Sequence, residues 1–379
     1  MPFNVTTGLY APPAGATNAT TGQVIQSAVW NTVHTDISNA LTGLCQGTVP
    51  ILAEMALQNA IGRNGSFDVW QRGAGGSASI TITGAATVYT ADGWYFVSNA
   101  NQTVVASAQA ALSVGSRVSA QFQRNSGSTG TGTFTLGFPL DTDEVQFMRG
   151  NLSALRFILS TGANWSPTVV VANVFVGTGA PTKQVNGYAG QSNPISTTVA
   201  IGPSASTTIT LSGSRIASNA AQMEVQFQWT PSGTAGANDF LQIDDVQLEP
   251  NPVSSPYGII PFGLELFLCQ RHYQKTFNYS VAPAQTAGTV GALAALIVGA
   301  GTAGFAAWNF NPPLRAAPSV TTYSPVSANA NWRNITGGAD VAQTVDANTL
   351  SAGRIFITSA TVAAASSLLA IHAQADAGI

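Results

Sequence analysis

Residues 64–250 consist of short apolar runs in which every second residue is hydrophobic, cut apart by clusters of Gly, Ser, Asn and Pro. A period of two belongs to strands with one buried face, and the cuts come too often for helices. The runs lie at 67–70, 78–83, 93–97, 134–138, 154–160, 168–176, 207–211, 223–229 and 240–248. About nine short strands in one stretch fit a β-sandwich or jelly roll. Pro250, Pro252 and Pro256 then mark a linker, since each removes a ladder donor and restricts the residue before it. The remainder, 262–379, opens on a short helix or turn through Leu266 and Cys269 that leads into a strand at Tyr273, and continues as small-residue strands. The expected fold is mainly β, in three parts: residues 1–62 for attachment, a jelly roll over 63–250 and a C-terminal β domain over 262–379.

Residues 1–26 are rich in Pro, Gly, Thr and Asn and read as an extended arm. A helix follows, with Ser27 as N-cap and Gly43 as its stop. Trp30, Val33, Ile37, Ala40 and Leu44 repeat at spacings of 3, 4, 3 and 4, the seam of a coiled coil. Two heptads are too short to hold alone, so the seam packs either on its own domain or on identical chains at a symmetry axis. A second short helix is expected from Pro50 to Ile61.

Charge is the odd feature of the composition. Charged residues make up 8% of the chain and hydrophobic ones 45%, where soluble domains carry about 25% charge. Lys occurs only at Lys183 and Lys275. Such a surface is covered by membrane or by other subunits. The one uncharged stretch, 284–308, has few large apolar residues and no useful charge bias at its flanks, so no membrane span is expected. Covering by identical chains remains. A net charge of −3 with scattered basic residues gives no phosphate-binding patch, so nucleic acid is not expected as a partner. Cys45 and Cys269 stand apart among apolar neighbours and read as buried free thiols. Met1-Pro2-Phe3-Asn4 has no basic segment followed by an apolar run, so no signal peptide is expected.

The motifs argue against an enzyme. Gly299-Ala300-Gly301-Thr302-Ala303-Gly304 matches GxGxxG, but Pro312-Pro313 cuts short the helix a nucleotide needs, and Tyr323 and Ser324 stand where the ribose-binding acid belongs. No GxSxG elbow occurs, and His34, His272 and His372 lie in separate segments. Asp141, Asp143 and Glu144, or Asp244 with Asp245, are the only paired carboxylates that glycoside cleavage would use, and acidic turns or solvated edges explain them equally. Asp244-Asp245 sit in one strand, where adjacent carboxylates call for a cation or backbone donors. With Asp68 from the start of the same domain they form a candidate structural calcium site. Trp165, in the polar loop Gly162-Ala163-Asn164-Trp165-Ser166, is the candidate glycan-stacking residue, and no other cofactor is expected.

Several segments resemble bacteriophage virion proteins of the tail-fibre and tail-appendage type. Asn64-Gly65-Ser66-Phe67-Asp68-Val69-Trp70-Gln71-Arg72-Gly73 with Tyr89-Thr90-Ala91-Asp92-Gly93-Trp94 resembles the opening of their carbohydrate-binding-module-like jelly roll, although Gly93 stands where the pattern carries a basic residue. Asp244 to Pro250, Leu266 to Gln274, Pro313 to Thr321 and Ala373 to Ala377 are similar to the passage into their C-terminal module and to parts of it. The resemblance covers about residues 60–379 and implies a homotrimer on the virion surface. Its N-terminal region would meet other virion proteins, and its distal part the host polysaccharide. A capsid- or neck-attached decoration fibre and a polysaccharide-degrading tailspike are the alternatives.

Overall fold

The computed structural model describes residues 3–4, 9–10, 59–73, 79–99, 102–297, 304–346, 348–357 and 367–378. The chain forms two compact units, Met1–Leu57 and Gln58–Ile379. In the first, β1 (Phe3–Asn4) pairs antiparallel with β2 (Leu9–Tyr10). The helical seam Trp30, Val33, Ile37, Ala40 and Leu44 lies outside the described residues, as does Cys45.

The second unit opens with a sandwich of twelve strands: β3 (Ser79–Thr83), β4 (Ala86–Tyr89), β5 (Tyr95–Ser98), β6 (Thr103–Ala110), β7 (Val118–Arg124), β8 (Phe134–Leu140), β9 (Ser153–Thr161), β10 (Val169–Gly177), β11 (Ser192–Ala200), β12 (Ser206–Gly213), β13 (Gln222–Trp229) and β14 (Phe240–Glu249). They make two six-stranded sheets, ordered β11-β10-β13-β8-β5-β4 and β12-β9-β14-β7-β6-β3, with every pairing antiparallel. The inner faces alternate as period-two burial requires. Phe134, Leu136, Phe138 and Leu140 of β8 meet Met223, Val225, Phe227 and Trp229 of β13 in one core with Trp94, Phe96, Phe122 and Phe157. The rings of Phe96 and Phe122 stack at 5.1 Å between centroids.

The mainly-β expectation holds, and two local expectations are corrected. Residues 67–70 are not a strand. Asn64 and Phe67 both have positive φ, and the Asn64 side chain donates to Val69 O and Asp92 O while accepting from Val69 N. The segment is a plug, sealed where Trp94 Nε1 donates to Asn64 O and Trp70 Nε1 donates to Phe67 O. The Pro-rich stretch after β14 is not a free linker either. Gln247 Nε2 donates to Ser255 Oγ, Gly258 N donates to Gln247 Oε1, and Ser255 N donates to Glu249.

A capped turn, α1 (Thr142–Val145), follows β8. Beyond the Pro-rich stretch, α2 (Phe262–Gln270) leads into β15 (Tyr273–Lys275), as the sequence predicts. The remaining strands are β16 (Leu293–Ile297), β17 (Phe305–Asn309), β18 (Ser319–Tyr323), β19 (Trp332–Asn334), β20 (Asp340–Val341), β21 (Gln343–Asp346), β22 (Ala352–Ile357) and β23 (Ser367–Asp376). β23 is their spine. Its first half pairs with β16 and β19, its second with β15 and β18. Its alternating Leu369, Ile371, Ala373 and Ala375 are fully buried.

This module has its own small cores, but polar contacts weld it to the sandwich. Arg72 pairs with Asp376 at 2.8 Å and lies over the rings of Tyr89 and Tyr273. Ser66 Oγ donates to Glu265, Tyr279 Oη accepts from Trp70 N, and Arg315 pairs with Asp141. Among the described residues no helix is long and apolar enough to cross a membrane.

Candidate functional site

The sites expected from the sequence come out differently in three dimensions. Trp165 is 4% exposed, packs in the sandwich core and donates from Nε1 to Ile201 O. It is not available to a sugar. Its polar neighbours mislead because they turn inward onto an ion pair: Ser166 N and Oγ both donate to Asp239, which is buried against Arg124 at 2.7 Å.

Asp68, Asp244 and Asp245 do gather around one loop. The β14 ladder is irregular between Asp244 and Gln247, and Asp245 has a φ of 50°. This bulge overrides strand alternation and turns both carboxylates onto Ser116, 2.7 and 2.6 Å from its hydroxyl. Asp244 also accepts from Leu112 N and Asp245 N, while Asp68 accepts from Arg117 N and Val118 N. Burial pushes Asp244 up to about 7. The two carboxylates share the single Ser116 hydroxyl proton and backbone donors take up further lone pairs, so protein groups supply part of the compensation. Among the described residues no three His, Cys, Asp or Glu side chains gather as metal ligands. Asp141 and Glu144 form the capping box of α1, and Glu144 also pairs with Arg63. Both carboxylates are taken up in these structural contacts. His272 is buried and neutral, His372 lies between Thr276 and Gly288 O, and Cys269 is a buried free thiol.

A different site lies on the outward face of the β11-β10-β13-β8-β5-β4 sheet. Glu224, Gln226 and Gln228 occupy alternate positions of β13, opposite in phase to its core residues. Cross-strand register sets Asn173, Gln226, Gly137, Tyr95 and Tyr89 in one row. The next row holds Thr198, Val171, Gln228, Thr135, Val97 and Thr87.

The side chains form a polar chain. Gln228 Nε2 donates to Gln226 Oε1 at 2.7 Å, and Gln226 Nε2 to Glu224 Oε1 at 2.9 Å. Tyr95 Oη donates to the same Glu224 oxygen at 2.5 Å. Gly137 makes the cluster possible, since a Cβ there would stand 2.5 Å from the Tyr95 ring and 2.6 Å from Glu224 Oε1.

Tyr95 and Glu224 are both 0% exposed. Burial pushes Glu224 up to about 7, against the hydrogen bonds from Tyr95, Gln184 and Gln226 and the charge of Lys183. Burial and the neighbouring carboxylate hold the Tyr95 phenol protonated. The segment between β10 and β11 folds over this half of the face: Gln184 N donates to Glu224 Oε2 at 2.8 Å, and Lys183 Nζ lies 4.2 Å from the Tyr89 ring centroid. The row through Gln228 is half-open, with Thr87 and Thr198 exposed at its ends. Sequence reasoning identified the strand over 223–229 through its apolar half. The signal in the other half was three polar residues, Glu, Gln and Gln, at strict alternation.

No family model and no curated protein matches the chain. Solved structures with a similar sandwich include a carbohydrate-binding module of the β-sandwich superfamily, 13% identical over 44% of this chain and 63% of its own, with a TM-score of 0.32. The enzymatically active domain of tailspike protein 4 of bacteriophage CBA120 is 12% identical over 50% of this chain and 21% of its own, with a TM-score of 0.29. TmCBM61, solved with β-1,4-galactotriose, is 11% identical over 51% of this chain and 99% of its own, with a TM-score of 0.28. This chain spans less than two thirds of the first two. Likenesses this distant fix no function, and the chemistry of the sheet face has to speak for itself.

Proposed function

We propose that this chain is a non-catalytic structural component of a bacteriophage virion, a fibre or tail appendage, that works as a homotrimer and meets cell-surface glycans through the outward face of β10, β13, β8 and β5. The glycan reading is carried by one observation: the chain Gln228–Gln226–Glu224–Tyr95, in which amides at alternate positions of one strand converge on a single carboxylate beside an aromatic ring. Saccharide hydroxyls donate and accept, so amides and a carboxylate match them, while tyrosine rings receive the apolar faces of sugars. Tyr95, Glu224 and Gln226 are covered by the segment carrying Lys183 and Gln184, and Gln228 is the half-buried member that is open beside it.

Cleavage would need a second carboxylate about 5–10 Å away. Glu224 is held by burial and by the donors Tyr95, Gln184 and Gln226, an arrangement that fixes the carboxyl in place rather than pairing it with a second acid. Self-association is supported by the scarcity of charge and by an apolar surface pair. Leu296 and Leu368 are cross-strand partners, 63% and 42% exposed, beside the exposed Ile335. The N-terminal region, in this reading, attaches to other virion proteins. Sedimentation of the full chain, followed by its binding to immobilised capsule and lipopolysaccharide from candidate hosts, tests the proposal. Trimers that bind a surface polysaccharide support it, and monomers that bind none overturn it.

A further inference from the structure

The segment between β10 and β11 leaves the sheet and returns to it within a few residues. Its neck is closed by one backbone bond, Thr178 N to Ala189 O, and Gly187 and Gly190 supply the positive φ values of 76° and 60° that its return requires. Over the sheet it makes one short 3-10 turn, Gln184–Asn186. It grips the face through few contacts. Gln184 N donates to Glu224 Oε2, Gln226 Nε2 donates to Gln184 Oε1 at 3.2 Å, and Lys183 lies over the rings of Tyr89 and Tyr95. Of its side chains Tyr188 is buried, while Thr178, Ala180, Thr182 and Val185 are exposed. Tyr188 anchors the segment, buried with its Oη donating to Thr182 O, and the other grips are polar contacts to a polar floor, so the segment opens at lower free energy than the sheet beneath it.

The groups it satisfies are those a sugar would use. A backbone amide sits where a hydroxyl would donate to Glu224, an amide oxygen where a hydroxyl would accept from Gln226, and the Lys183 ammonium over the tyrosine rings where a sugar ring would lie. Resting on the glycan reading above, we infer that residues 178–191 form a displaceable strap that fills, in the free protein, a subsite for a neutral saccharide built on Tyr95, Glu224 and Gln226. With the strap lifted, this subsite continues into the adjoining half-open row through Val171 and Gln228. Above about pH 7, where Glu224 is ionised, its carboxylate repels acidic sugars, so the subsite selects neutral ones.

Gln184→Pro tests the strap with little risk to the fold. Gln184 is the first residue of the 3-10 turn, where proline fits, and Lys183 before it is already extended at φ −68° and ψ 140°. The substitution deletes the amide that bonds Glu224. Combined with Lys183→Ala, it removes two hydrogen bonds to the sheet face, Gln184 N to Glu224 and Gln226 Nε2 to Gln184 Oε1, and the Lys183 contacts with the Tyr89 and Tyr95 rings, so affinity should rise about tenfold or more. The probes are neutral gluco-, galacto- and mannohexaoses, with sialyllactose as the acidic control, titrated calorimetrically into the full chain and into the double variant. Hydrogen exchange on residues 178–191 is read beside each titration. The expected result is faster exchange in the strap than in β13, further acceleration when a neutral probe binds, and tighter binding to the variant. If the wild type binds a probe and the variant binds it no more tightly, the strap is a fixed part of the fold. A strap as protected as β13 overturns the inference without any ligand. If neither protein binds any probe, the glycan reading fails and the strap proposal with it.

Discussion

Replacing Glu224 by glutamine should remove a measurable part of the pH dependence of stability. In the folded chain burial raises the carboxyl from 4.5 to about 7. The sign follows from proton counting: between these values the folded state holds a proton that the unfolded chain has lost, so stability falls as pH rises. The favourable contribution is complete below 4.5 and lost on passing about 7. At about 1.4 kcal/mol per pH unit, the full effect is about 3 kcal/mol. Tyr95 and Gln226 donate to Glu224 Oε1 and Gln184 N to Oε2, so the single oxygen of the introduced amide keeps one side of the cluster and loses the other. That loss is independent of pH and leaves the pH profile to report the carboxyl alone. Other groups titrate in both proteins: burial raises Glu265 to about 8 and Asp92 to about 6, and depresses His272, whose contribution has the opposite sign. The quantity to read is therefore the difference between variant and wild type. Urea unfolding followed by tryptophan fluorescence at about pH 5 and about pH 8 supplies it. The wild type should lose more stability than the variant over this interval, by about 2–3 kcal/mol. Parallel pH profiles would refute the claim that the Glu224 carboxyl is held in a desolvated cluster.

Arg124→Met should cost about 3–5 kcal/mol in the same assay, because it leaves Asp239 buried and strips a donor from the carbonyls of Ser128, Gly130 and Gly233; adding Asp239→Asn should recover part of that loss. Gly137→Ala should cost about 1–3 kcal/mol by driving a methyl into Tyr95 and Glu224, and an unchanged unfolding midpoint would count against the tight row on this sheet face. Chelation with EDTA should leave the melting temperature where it was, since Asp244 and Asp245 are satisfied by Ser116, Leu112 N and Asp245 N; a drop would reveal a metal at that loop. Leu296→Glu with Leu368→Glu should shift sedimentation from trimer towards monomer, and a trimer undisturbed by two buried charges would move the interface elsewhere.

The strands with large alternating residues were legible in the sequence, and α2 with β15 followed from the run through Cys269. β4, β6, β7 and β11 were not. β6, Thr103–Ala110, is made of small residues and carries little contrast between its faces, and β11 holds Pro194 at a sheet edge, where a lost donor is tolerated. Residues 67–70 looked like a strand because the apolar run hides the left-handed Asn64 that folds it into a plug. Asp244 and Asp245 were rightly singled out as needing compensation. The bulge that delivers them to Ser116 has no signature in the sequence. The sheet face escaped notice because strand reasoning looks to the apolar half of an alternation, while the proposed glycan contacts lie in its polar half.

The most direct test of that function is binding of the full chain to purified host capsule or lipopolysaccharide, with Asn173→Ala and Gln228→Ala combined as the comparison and reducing ends assayed in the same samples. Binding by the wild type, loss of about tenfold or more in the variant and no release of reducing ends is the predicted result. Binding that is indifferent to both substitutions, or accompanied by new reducing ends, would contradict it.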